Sequence, residues 1–588
     1  MLPVTAPSHR AGPSPAPGSA PGSAPGSAPD VIVVGTGAAG LAAALAAGAG
    51  GARVTIVEST GSVGGTTAVS GGGVWMPQND HMAELGSEDS RPEALAYMGR
   101  LTAGRTPMEL LEHYVDRGPG ILAHLEGTTP LELRPMTWPD YHPEMEGAKA
   151  SGRMLEPALY DTNRLGPWAG RLRRPPVLGL PIPLQEATVE WRPAYTPEKF
   201  EPGVVQARVA AGRVACGQAL VGGLLEACLA AGIEPLLETR AVEISTSGRG
   251  ADERVVGLVV EHDGHHRELP AAAVVLASGG YEWNAHLRER FLPGPLTHPH
   301  SPPSNQGDGL AMAMAVGADL ANMNETWWYP ACSLPGEEYD GRPLARFVGV
   351  ERTAPHSIMV NRFGQRFVNE AGNYNDLGKS FFSFDVNDYA PRNLPCWVVF
   401  DHQYRSRYPV STCRSGDPDP GWLLAHDTLE GLAVRAGIDP VGLAETVERW
   451  NRFVALGRDR DFGRGSSAYD RFHGDPTAPH PNLGTVEEGP FYALPVYVGS
   501  VGTKGGPRVD TNGRVLHVGD RPIPGLYGAG NVIASPAGPA YYGGGTSIGM
   551  GLVWGYGSGV HAAAYATTGG HPGTSETAGT AGTAGTGA

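Results

Sequence analysis

The first strongly patterned segment of the chain predicts a strand, a helix and a second strand in succession. Val31–Val34 is a continuous run of apolar, β-branched residues, which is typical of a strand buried on both faces. An alanine-rich helical stretch covers Leu41–Ala49, and a second apolar run follows at Val54–Val57. Because strands that alternate with a helix usually pair in parallel, this segment predicts an α/β fold.

A glycine pattern joins the first predicted strand to the helix. Gly35, Gly37 and Gly40 form the spacing G-x-G-x-x-G. In this pattern the first glycine permits a tight turn, the second lets a pyrophosphate approach the backbone, and the third lets the helix pack on the strand. Glu58 ends the second strand, where it is placed to accept hydrogen bonds from a ribose. The segment predicts a dinucleotide site and does not by itself distinguish FAD from NAD.

Farther along the chain the pattern becomes mixed. Residues 357–385 alternate apolar and polar positions and are rich in aromatic residues, and residues 440–456 have helical periodicity. At the two ends, residues 1–29 carry GSAP repeats and residues 567–588 end in AGTAGTAGTGA. Such low-complexity segments bury too little apolar surface to fold, so both ends are predicted to be disordered.

Composition and charge exclude several classes of function. The net charge of −16 argues against a nucleic-acid partner, which would require a basic surface. The five cysteines are scattered without a C-x-x-C pair, so neither a disulfide framework nor a metal site is predicted. No apolar run approaches the roughly 20 residues of a membrane span, and the N-terminal residues lack the apolar core of a secretory signal. These observations favour a cytoplasmic protein.

Four segments resemble the flavoproteins of the fumarate reductase and succinate dehydrogenase superfamily. The Gly-, Thr- and Ser-rich residues 61–77 resemble the stretch that contacts the flavin. Residues 271–284 resemble the strand that returns to the cofactor domain, and residues 305–320 resemble its Gly-Asp-Gly helix start. Residues 525–535 resemble the late strand that closes over the flavin. The resemblance therefore implies that the dinucleotide is FAD.

The resemblance also implies a domain organisation. The fold class is α/β, with a Rossmann-like FAD-binding domain that is split in sequence and an inserted α+β substrate cap domain. The first part of the cofactor domain is expected at residues 30–335, the cap at 336–489, and the last part at 490–566. The residues expected to bind FAD are Gly35, Gly37, Ala39, Gly40, Glu58, Gly65, Thr66, Thr67, Ser70, Gly71, Gly72, Val242, Ala277, Ser278, Gly279, Asp308, Gly530, Asn531, Ser547 and Ile548.

The chain departs from the fumarate-type members where those bind a dicarboxylate. Those enzymes carry a His after the Gly-Asp-Gly helix and an Arg after the late strand. Here the corresponding segments read MNETWWYPACS and GPAYYGGG, which contain neither residue. Because a dicarboxylate requires cationic partners and these segments offer aromatic ones, a small apolar ketone is the expected substrate.

These departures resemble the 3-oxosteroid Δ1-dehydrogenases, which introduce a C1–C2 double bond beside a C3 ketone and pass hydride to FAD. Tyr541, Gly543 and Gly545 fit that family's Tyr-x-Gly-x-Gly stretch. Tyr374 follows the segment RFVNEAGN as the family's second tyrosine does, and Tyr141 in WPDYHPE fits a third. Residues 175–202 look like an insertion relative to that family.

The resemblance implies a role for each of these residues. The Tyr541 hydroxyl and the Gly545 backbone N–H are expected to polarise the ketone oxygen as an oxyanion hole. Tyr374 is expected to remove the C2 proton as a phenolate. A hydrogen bond from Tyr141 would help to lower the high pKa of that phenol.

Three alternatives follow from the same residues. A related flavin desaturase or reductase could act at another position, such as the 4,5-bond of 5α-3-oxosteroids, or on a non-steroid cyclic ketone. A third possibility is a flavin-binding protein without catalysis, which the tyrosine and glycine pattern disfavours. No second dinucleotide pattern is found in the sequence, so the expected electron acceptor is a diffusible quinone-like compound or oxygen.

Overall fold

The first β–α–β unit forms as the pattern predicts. In the computed structural model, which describes residues 28–569, strands Val31–Val34 and Val54–Val57 pair in parallel. The intervening first helix, Ala38–Ala49, begins three residues before the predicted Leu41, because part of the glycine motif is itself helical. The terminal segments predicted to be disordered lie outside the described residues apart from their inner ends.

Distant segments complete a five-stranded sheet around this unit. Strand Ala273–Leu276 lies parallel to Val31–Val34 on the side away from the second strand. Strand Arg521–Gly528 pairs in parallel with Ala273–Leu276, and Arg514–His517 forms an antiparallel edge. The sheet therefore draws on three separated parts of the chain, which confirms the Rossmann-like domain split in sequence.

The C-terminal helix, Thr546–Thr567, packs closely against the first helix. A Cβ added to Gly555 would lie 2.3 Å from the Ala39 carbonyl oxygen, and one added to Gly559 would lie 2.2 Å from the Ala43 carbonyl oxygen. Since such distances are too short for real side-chain contacts, only glycine permits this approach. The two helices thus form one closely packed layer on the sheet.

A seven-stranded sheet forms the core of the second lobe. Its long strand Phe491–Thr503 pairs with Cys396–Phe400, which in turn pairs with Ser357–Asn361. The same long strand pairs on its other side with Thr326–Cys332, whose neighbour is Arg346–Phe347. The domain limits expected at residues 335 and 490 remain predictions. Strands that lie before residue 335 and after residue 490 in the sequence both belong to this sheet.

The remaining elements are shorter or flank the two main sheets. Other strands are His298–Pro299, Leu424–His426, Arg240–Ser247, Arg254–His262, His265–Pro270, Val74–Trp75, Leu133–Pro135, Met154–Pro157, Tyr160–Asp161 and Arg213–Val214. Two-stranded pairs are Leu320–Ala321 with Gly506–Pro507, Glu338–Tyr339 with Arg342–Pro343, and Phe384–Asp385 with Ala390–Pro391. Other helices are Gly65–Val69, Arg91–Thr102, Met108–Thr128, Pro202–Ala210, Cys216–Ala230, Ala285–Phe291, Asp308–Ala315, Val350–Thr353, Tyr374–Ser380, His402–Arg405, Leu429–Ala436, Pro440–Ala455 and Ala468–His473. Within residues 28–569, the helices lack the combination of length and apolar character that crossing a bilayer requires.

Candidate active site

A cavity of about 610 Å³ is lined by residues of both lobes. On one side lie the glycine turn after the first strand and the start of the C-terminal helix. On the other lie side chains of the inserted region, including Phe347, Tyr374 and Tyr469. A cavity between lobes, with apolar walls and a few polar groups, is the usual form of a ligand site.

Eighteen of the twenty residues expected to bind FAD line this cavity. The exceptions are Gly40 and Val242. Strand Arg240–Ser247 has a register shift between Ala241 and Glu243, and Ala241 lines the cavity in place of Val242. Because neighbouring strand residues face opposite sides, an irregularity of one residue exchanges the inward position.

The glycine turn has the geometry that a dinucleotide requires. Gly35 has φ +108°, in the left-handed region, and a Cβ there would lie 2.5 Å from the Ala277 carbonyl oxygen. Gly37 caps the first helix without a side-chain hydrogen bond, and although the Ala38 N–H donates to the Thr67 hydroxyl at 3.1 Å, the other N–H groups of the first turn could bind an anion. The hydroxyl of Ser278, which lines the same cavity, is buried and has no hydrogen-bond partner among the described residues. These features fit a bound pyrophosphate with its flanking groups.

Glu58 lies at the end of the second strand and lines the cavity, as expected of a ribose acceptor. One carboxylate oxygen accepts hydrogen bonds from the Thr36 N–H and hydroxyl, at 3.2 and 2.6 Å. The other accepts from the Thr60 N–H and hydroxyl, each at 3.0 Å. These bonds fix the carboxylate in the cavity wall, and a ligand hydroxyl would bind there by sharing an oxygen with one of these donors or by replacing it.

Gly40 serves the packing of the turn. A Cβ at this position would lie 2.1 Å from the Gly35 carbonyl oxygen, which is backbone and cannot move aside. We expect Gly40→Ala to lower the free energy of unfolding by about 3 kcal/mol and to reduce the flavin content. Denaturant unfolding and the ratio of flavin to protein absorbance measure both effects.

Gly120 provides the matched control for that substitution. It lies in helix Met108–Thr128, and a Cβ added there would have no heavy atom of another part of the described chain within 4 Å. Gly120→Ala should therefore leave flavin content unchanged and raise stability by up to about 1 kcal/mol through helix propensity. Equal stability of the Gly40→Ala variant and the wild type would contradict the packing role.

Three tyrosines separated in sequence meet in the cavity. The hydroxyl of Tyr141 donates a hydrogen bond to the hydroxyl of Tyr374 at 2.8 Å. The Tyr541 ring lies 4.9 Å from that of Tyr141 and 5.7 Å from that of Tyr374, measured between centroids. All three line the cavity, so the residues expected to form the catalytic group are brought together.

Gly545 lies beside Tyr541 at the start of the C-terminal helix. It has φ +94°, and a Cβ there would lie 2.3 Å from the Gly73 carbonyl group. Its backbone N–H is directed towards the Tyr541 hydroxyl. The helix has no side-chain cap at this end. The Gly545 N–H therefore lies at an uncapped helix N-terminus, where the helix dipole creates a positive electrostatic potential. Two donors thus converge on one corner of the cavity.

Burial sets the protonation of the tyrosines. Burial raises the pKa of Tyr541, although hydrogen bonds from Tyr374, Ser547 and the Gly545 N–H act to lower it. Tyr541 therefore stays protonated at neutral pH and can donate a hydrogen bond. Burial, and after it the neighbouring Tyr541, raise the pKa of Tyr374 well above its usual range. The hydrogen bond from Tyr141 acts to lower this pKa. Tyr374 is therefore protonated at neutral pH before any ligand binds.

Tyr542 packs and takes no part in the cavity. It is fully buried, and its ring centroid lies 5.2 Å from that of Trp75. Its hydroxyl has no hydrogen-bond partner among residues 28–569, whereas its carbonyl oxygen accepts from the Tyr141 N–H at 2.9 Å and the Tyr97 hydroxyl at 2.7 Å. The backbone of Tyr542 therefore positions Tyr141.

Sequence reasoning missed an ion pair beside the tyrosines. His142 Nε2 lies 2.7 Å from a carboxylate oxygen of Asp376, which is on the helix that begins at Tyr374. Burial lowers the pKa of His142, but its bonds to Asp376 and Glu144 outweigh this and raise the pKa to about 9. The charged pair joins the two segments that carry Tyr141 and Tyr374. Each residue is adjacent or nearly adjacent to a predicted tyrosine, which is the one signal that could have found them.

Lys504 was also missed. It is fully buried, and its ammonium group donates to the carbonyl oxygens of Ala540 at 2.8 Å and Pro539 at 3.3 Å. The same group lies 4.2 Å from the Trp327 ring centroid, and Trp327 packs on Tyr541 at 4.7 Å. Burial lowers the pKa of Lys504 well below its usual value. Lys504 thus fixes the turn that precedes Tyr541.

Comparisons with known proteins agree with this geometry. The family model described as FAD binding domain matches residues 30–548. A 4-oxocyclohexanecarboxylate 2-dehydrogenase of Sinomonas cyclohexanicum is 41% identical over 90% of this chain and 91% of its own. A 3-oxosteroid 1-dehydrogenase of Mycolicibacterium smegmatis is 36% identical over 91% of this chain and 97% of its own.

A solved structure has the same fold over nearly its whole length. The 3-ketosteroid delta1-dehydrogenase of Sterolibacterium denitrificans, in complex with 1,4-androstadiene-3,17-dione, superposes with a TM-score of 0.85. It is 35% identical and covers 91% of this chain and 99% of its own. The two proteins therefore share the same overall fold.

Proposed function

We propose, since this chain belongs to the FAD binding domain family and is an FAD-dependent oxidoreductase, that it introduces a C1–C2 double bond into the A ring of a 3-oxosteroid. The observation that carries the proposal is the meeting of Tyr141, Tyr374 and Tyr541 beside the Gly545 N–H, in the cavity that also contains the dinucleotide turn. The relatives at 36% and 35% identity are named for this reaction, which supports it.

The cofactor would be held by the glycine turn and the first helix. Gly35 and Gly37 would lie against the pyrophosphate, and Glu58 would accept from the ribose. When bound, FAD supplies the acceptor for the hydride that leaves C1 with its electron pair. The rest of the chemistry is done by side chains and backbone groups of this chain.

Recognition of the ketone is assigned to Tyr541 and Gly545. Loss of the C2 proton places negative charge on the carbonyl oxygen, and the phenol and the N–H both donate to that oxygen. Donors fixed before the reaction stabilise such charge without reorganisation, each by about 3–4 kcal/mol. Burial keeps Tyr541 protonated and therefore able to donate.

Proton removal is assigned to Tyr374. Its phenolate accepts the proton from C2, and the electron pair of that C–H bond forms the new double bond as the hydride leaves C1. The Tyr141 hydroxyl, at 2.8 Å, donates to Tyr374 and stabilises the phenolate relative to the phenol. Tyr141 therefore acts as a positioning residue for the base.

The rate of flavin reduction should rise with pH. Burial raises the pKa of Tyr374, so the reactive phenolate is a minor species at neutral pH, and its fraction grows about tenfold per pH unit. Tyr141→Phe should shift this rise to higher pH, because the hydrogen bond that lowers the Tyr374 pKa is lost. Anaerobic stopped-flow measurements over the neutral to alkaline range test both; a rate independent of pH in the wild type argues against a phenolate base.

The central experiment mixes anaerobic, FAD-loaded protein with excess androst-4-ene-3,17-dione. The oxidised flavin band should bleach, and a 1,2-desaturated product should form. If neither this ketone nor its 5α-reduced analogue bleaches the flavin while FAD remains bound, the steroid proposal is wrong. Bleaching by the 5α-reduced analogue with a 4,5-desaturated product supports the related desaturase instead.

A second candidate is the same desaturation on a one-ring ketone. The relative at 41% identity is named for 4-oxocyclohexanecarboxylate, and its name places the reaction on a ring that carries a ketone. The observation that favours this candidate is the presence of two arginines, Arg192 and Arg352, in the cavity wall. The ketone corner and the base would act identically on either ring.

The electron acceptor is proposed to be a quinone-like compound or oxygen. Anaerobic flavin reduced by substrate should be reoxidised by a soluble quinone or by air, and not by NAD. Reoxidation by NAD at a comparable rate would overturn this choice. The expected cytoplasmic location likewise stays a prediction, to be tested by fractionation of the source cells.

A further inference from the structure

Beyond the tyrosines, the cavity wall contains a group of nitrogen-bearing side chains. Ring contacts lead outward to it: Tyr469 lies 5.2 Å from Tyr141, and His473 lies 4.4 Å from Tyr469. The Trp138 ring centroid lies 5.2 Å from that of His473. All members line the cavity, and we call them the distal cluster: Trp138, Arg192, Arg352 and His473.

Arg352 carries a buried charge without a carboxylate partner. Arg352 is 2% exposed, and it donates to the backbone carbonyl oxygens of Val348, Glu370 and Gly372, all of them uncharged. No Asp or Glu oxygen of the described residues lies within 4.0 Å of its nitrogens. By contrast, Arg366 in the same lobe is paired with two carboxylates, at 2.6 and 2.9 Å.

Arg192 also has no carboxylate partner among the described residues, although it is only partly buried. Its Nε donates to the Thr188 carbonyl oxygen at 2.7 Å, and its Nη2 donates to the Phe472 carbonyl oxygen. The guanidinium lies over the Phe472 ring at 5.4 Å, and no ion pair to it exists among residues 28–569. Burial lowers the pKa of both arginines, which is the cost of a charge without a nearby counterion.

The acidic groups whose charges act on these arginines are engaged elsewhere. Asp470 accepts from the Asn369 amide at 2.9 Å. Asp475 accepts from the Tyr408 hydroxyl at 2.7 Å, and Glu351 accepts from two backbone N–H groups. These carboxylates reduce the net positive charge at the cavity wall, but among the described residues none of them accepts a hydrogen bond from either guanidinium.

Two further donors in the cluster lack acceptors. The Nε1 of Trp138 and the Nε2 of His473 are buried and have no hydrogen-bond partner within the described part of the chain. Burial, followed by the charges of Arg352 and Arg192, lowers the pKa of His473 to about 3, so its ring is neutral and can donate from Nε2. Buried N–H groups without acceptors cost free energy that a bound acceptor restores.

We infer that the distal cluster is a carboxylate-binding subsite, and that the ring ketone carries a carboxylate on the side away from its carbonyl. A carboxylate has two oxygens with roughly four acceptor positions, which suits two guanidinium groups and two N–H donors. The inference rests on the proposed function for the position of the ketone, with its oxygen at Tyr541 and Gly545. The shared chemistry is a keto acid, whether the ring is single or part of a larger skeleton.

The position of Arg192 agrees with this assignment. It lies within residues 175–202, the segment that we predict from the sequence to be an insertion relative to the steroid dehydrogenases. That segment contributes Leu184, Thr188 and Arg192 to the cavity wall. A substrate feature absent from a neutral steroid dione would be recognised by such a segment.

Binding without turnover provides the test. Calorimetric titration of the FAD-loaded protein compares cyclohexanecarboxylate with cyclohexanecarboxamide, neither of which has a ketone to be desaturated. We expect the carboxylate to bind at least about tenfold more tightly than the amide, because it meets unpaired charged donors. Equal affinity for the two compounds would overturn the subsite.

Substitutions of the two arginines test which side chains cause the preference for a carboxylate. Arg192→Gln should remove most of the preference for the carboxylate, because it weakens carboxylate binding far more than amide binding, and Arg192→Lys should restore part of it. Because Arg352 also holds three backbone carbonyls, Arg352→Lys is the variant to use at that position, and it should weaken carboxylate binding through lost bidentate geometry. The surface pair Arg91 with Asp116 offers the control Arg91→Gln. An unchanged carboxylate preference in Arg192→Gln would overturn the assignment.

Measurements of flavin reduction by keto substrates distinguish this inference from the proposed function. We expect 4-oxocyclohexanecarboxylate to bleach the flavin with kcat/KM at least about tenfold above that of its carboxamide. Carboxylate binding that depends on Arg192, without bleaching by any ketone, would support the subsite and contradict the proposed function. Bleaching by androst-4-ene-3,17-dione without any preference for carboxylates would support the function and overturn the subsite.

Discussion

Tyr374→Phe is expected to lower the rate of flavin reduction by a ketone substrate by about 10²–10⁴-fold, which is the contribution of a general base. The variant keeps the ring and loses only the hydroxyl that receives the C2 proton. The other nearby hydroxyl, that of Tyr141, already donates to Tyr374 and is itself buried, so it provides no ready replacement. Anaerobic stopped-flow absorbance with a saturating ketone measures the rate directly.

The variant should still bind FAD, because Tyr374 belongs to the inserted region and the dinucleotide turn does not depend on its hydroxyl. Flavin content and its visible spectrum check this. Tyr389→Phe serves as the control, since Tyr389 is 83% exposed in the same lobe. A Tyr374→Phe enzyme that reduces flavin at the wild-type rate would exclude Tyr374 as the base.

Tyr541→Phe is expected to lower the same rate by about 10²–10³-fold, the usual effect of removing one oxyanion-hole donor. The phenol donates to the ketone oxygen as charge develops, and the Gly545 N–H alone then remains. Because ground-state binding of the ketone relies less on this bond, kcat should fall more than KM rises. Steady-state kinetics with an artificial electron acceptor separates the two parameters.

Tyr542→Phe is the matched control at the next residue. The Tyr542 hydroxyl is buried without a hydrogen-bond partner among the described residues, so removing it takes away no interaction there. Activity should stay near that of the wild type, and stability should be equal or slightly higher, because an unsatisfied polar group leaves the core. Equal losses in both variants would mean that the turn tolerates no change, and that Tyr541 has no special role.

The local pattern was sufficient to predict the dinucleotide turn. Gly35, Gly37 and Gly40 lie close together in sequence, and their conformations follow from steric limits on a single strand–turn–helix unit. Tyr541 and Gly545 are likewise close in sequence, so one motif predicts both groups of the proposed ketone corner. In both cases the chemistry depends on contacts within a short stretch of backbone.

The base could not be derived in this way. Tyr141 and Tyr374 are 233 residues apart, and their hydroxyl contact depends on how two lobes pack. Only the resemblance to a family indicated both. The difference at Val242 has a similar origin, because a bulge in a strand is decided by pairing with a neighbour that periodicity does not reveal. Arg192, Arg352 and Lys504 escaped notice because sequence alone does not distinguish a buried cation from an exposed one.

The close packing of the first and C-terminal helices couples two recognition events. The N-terminus of one helix carries Gly37, the proposed position of the cofactor phosphates, and the N-terminus of the other carries Gly545, a proposed donor to the ketone. Because their backbones touch at Gly555 and Ala39, the separation between these two helix ends is set by a rigid contact. Tyr374, by contrast, comes from the inserted lobe. The position of the proposed base relative to the two helix ends therefore depends on how the inserted lobe packs, whereas the spacing of the two helix ends does not.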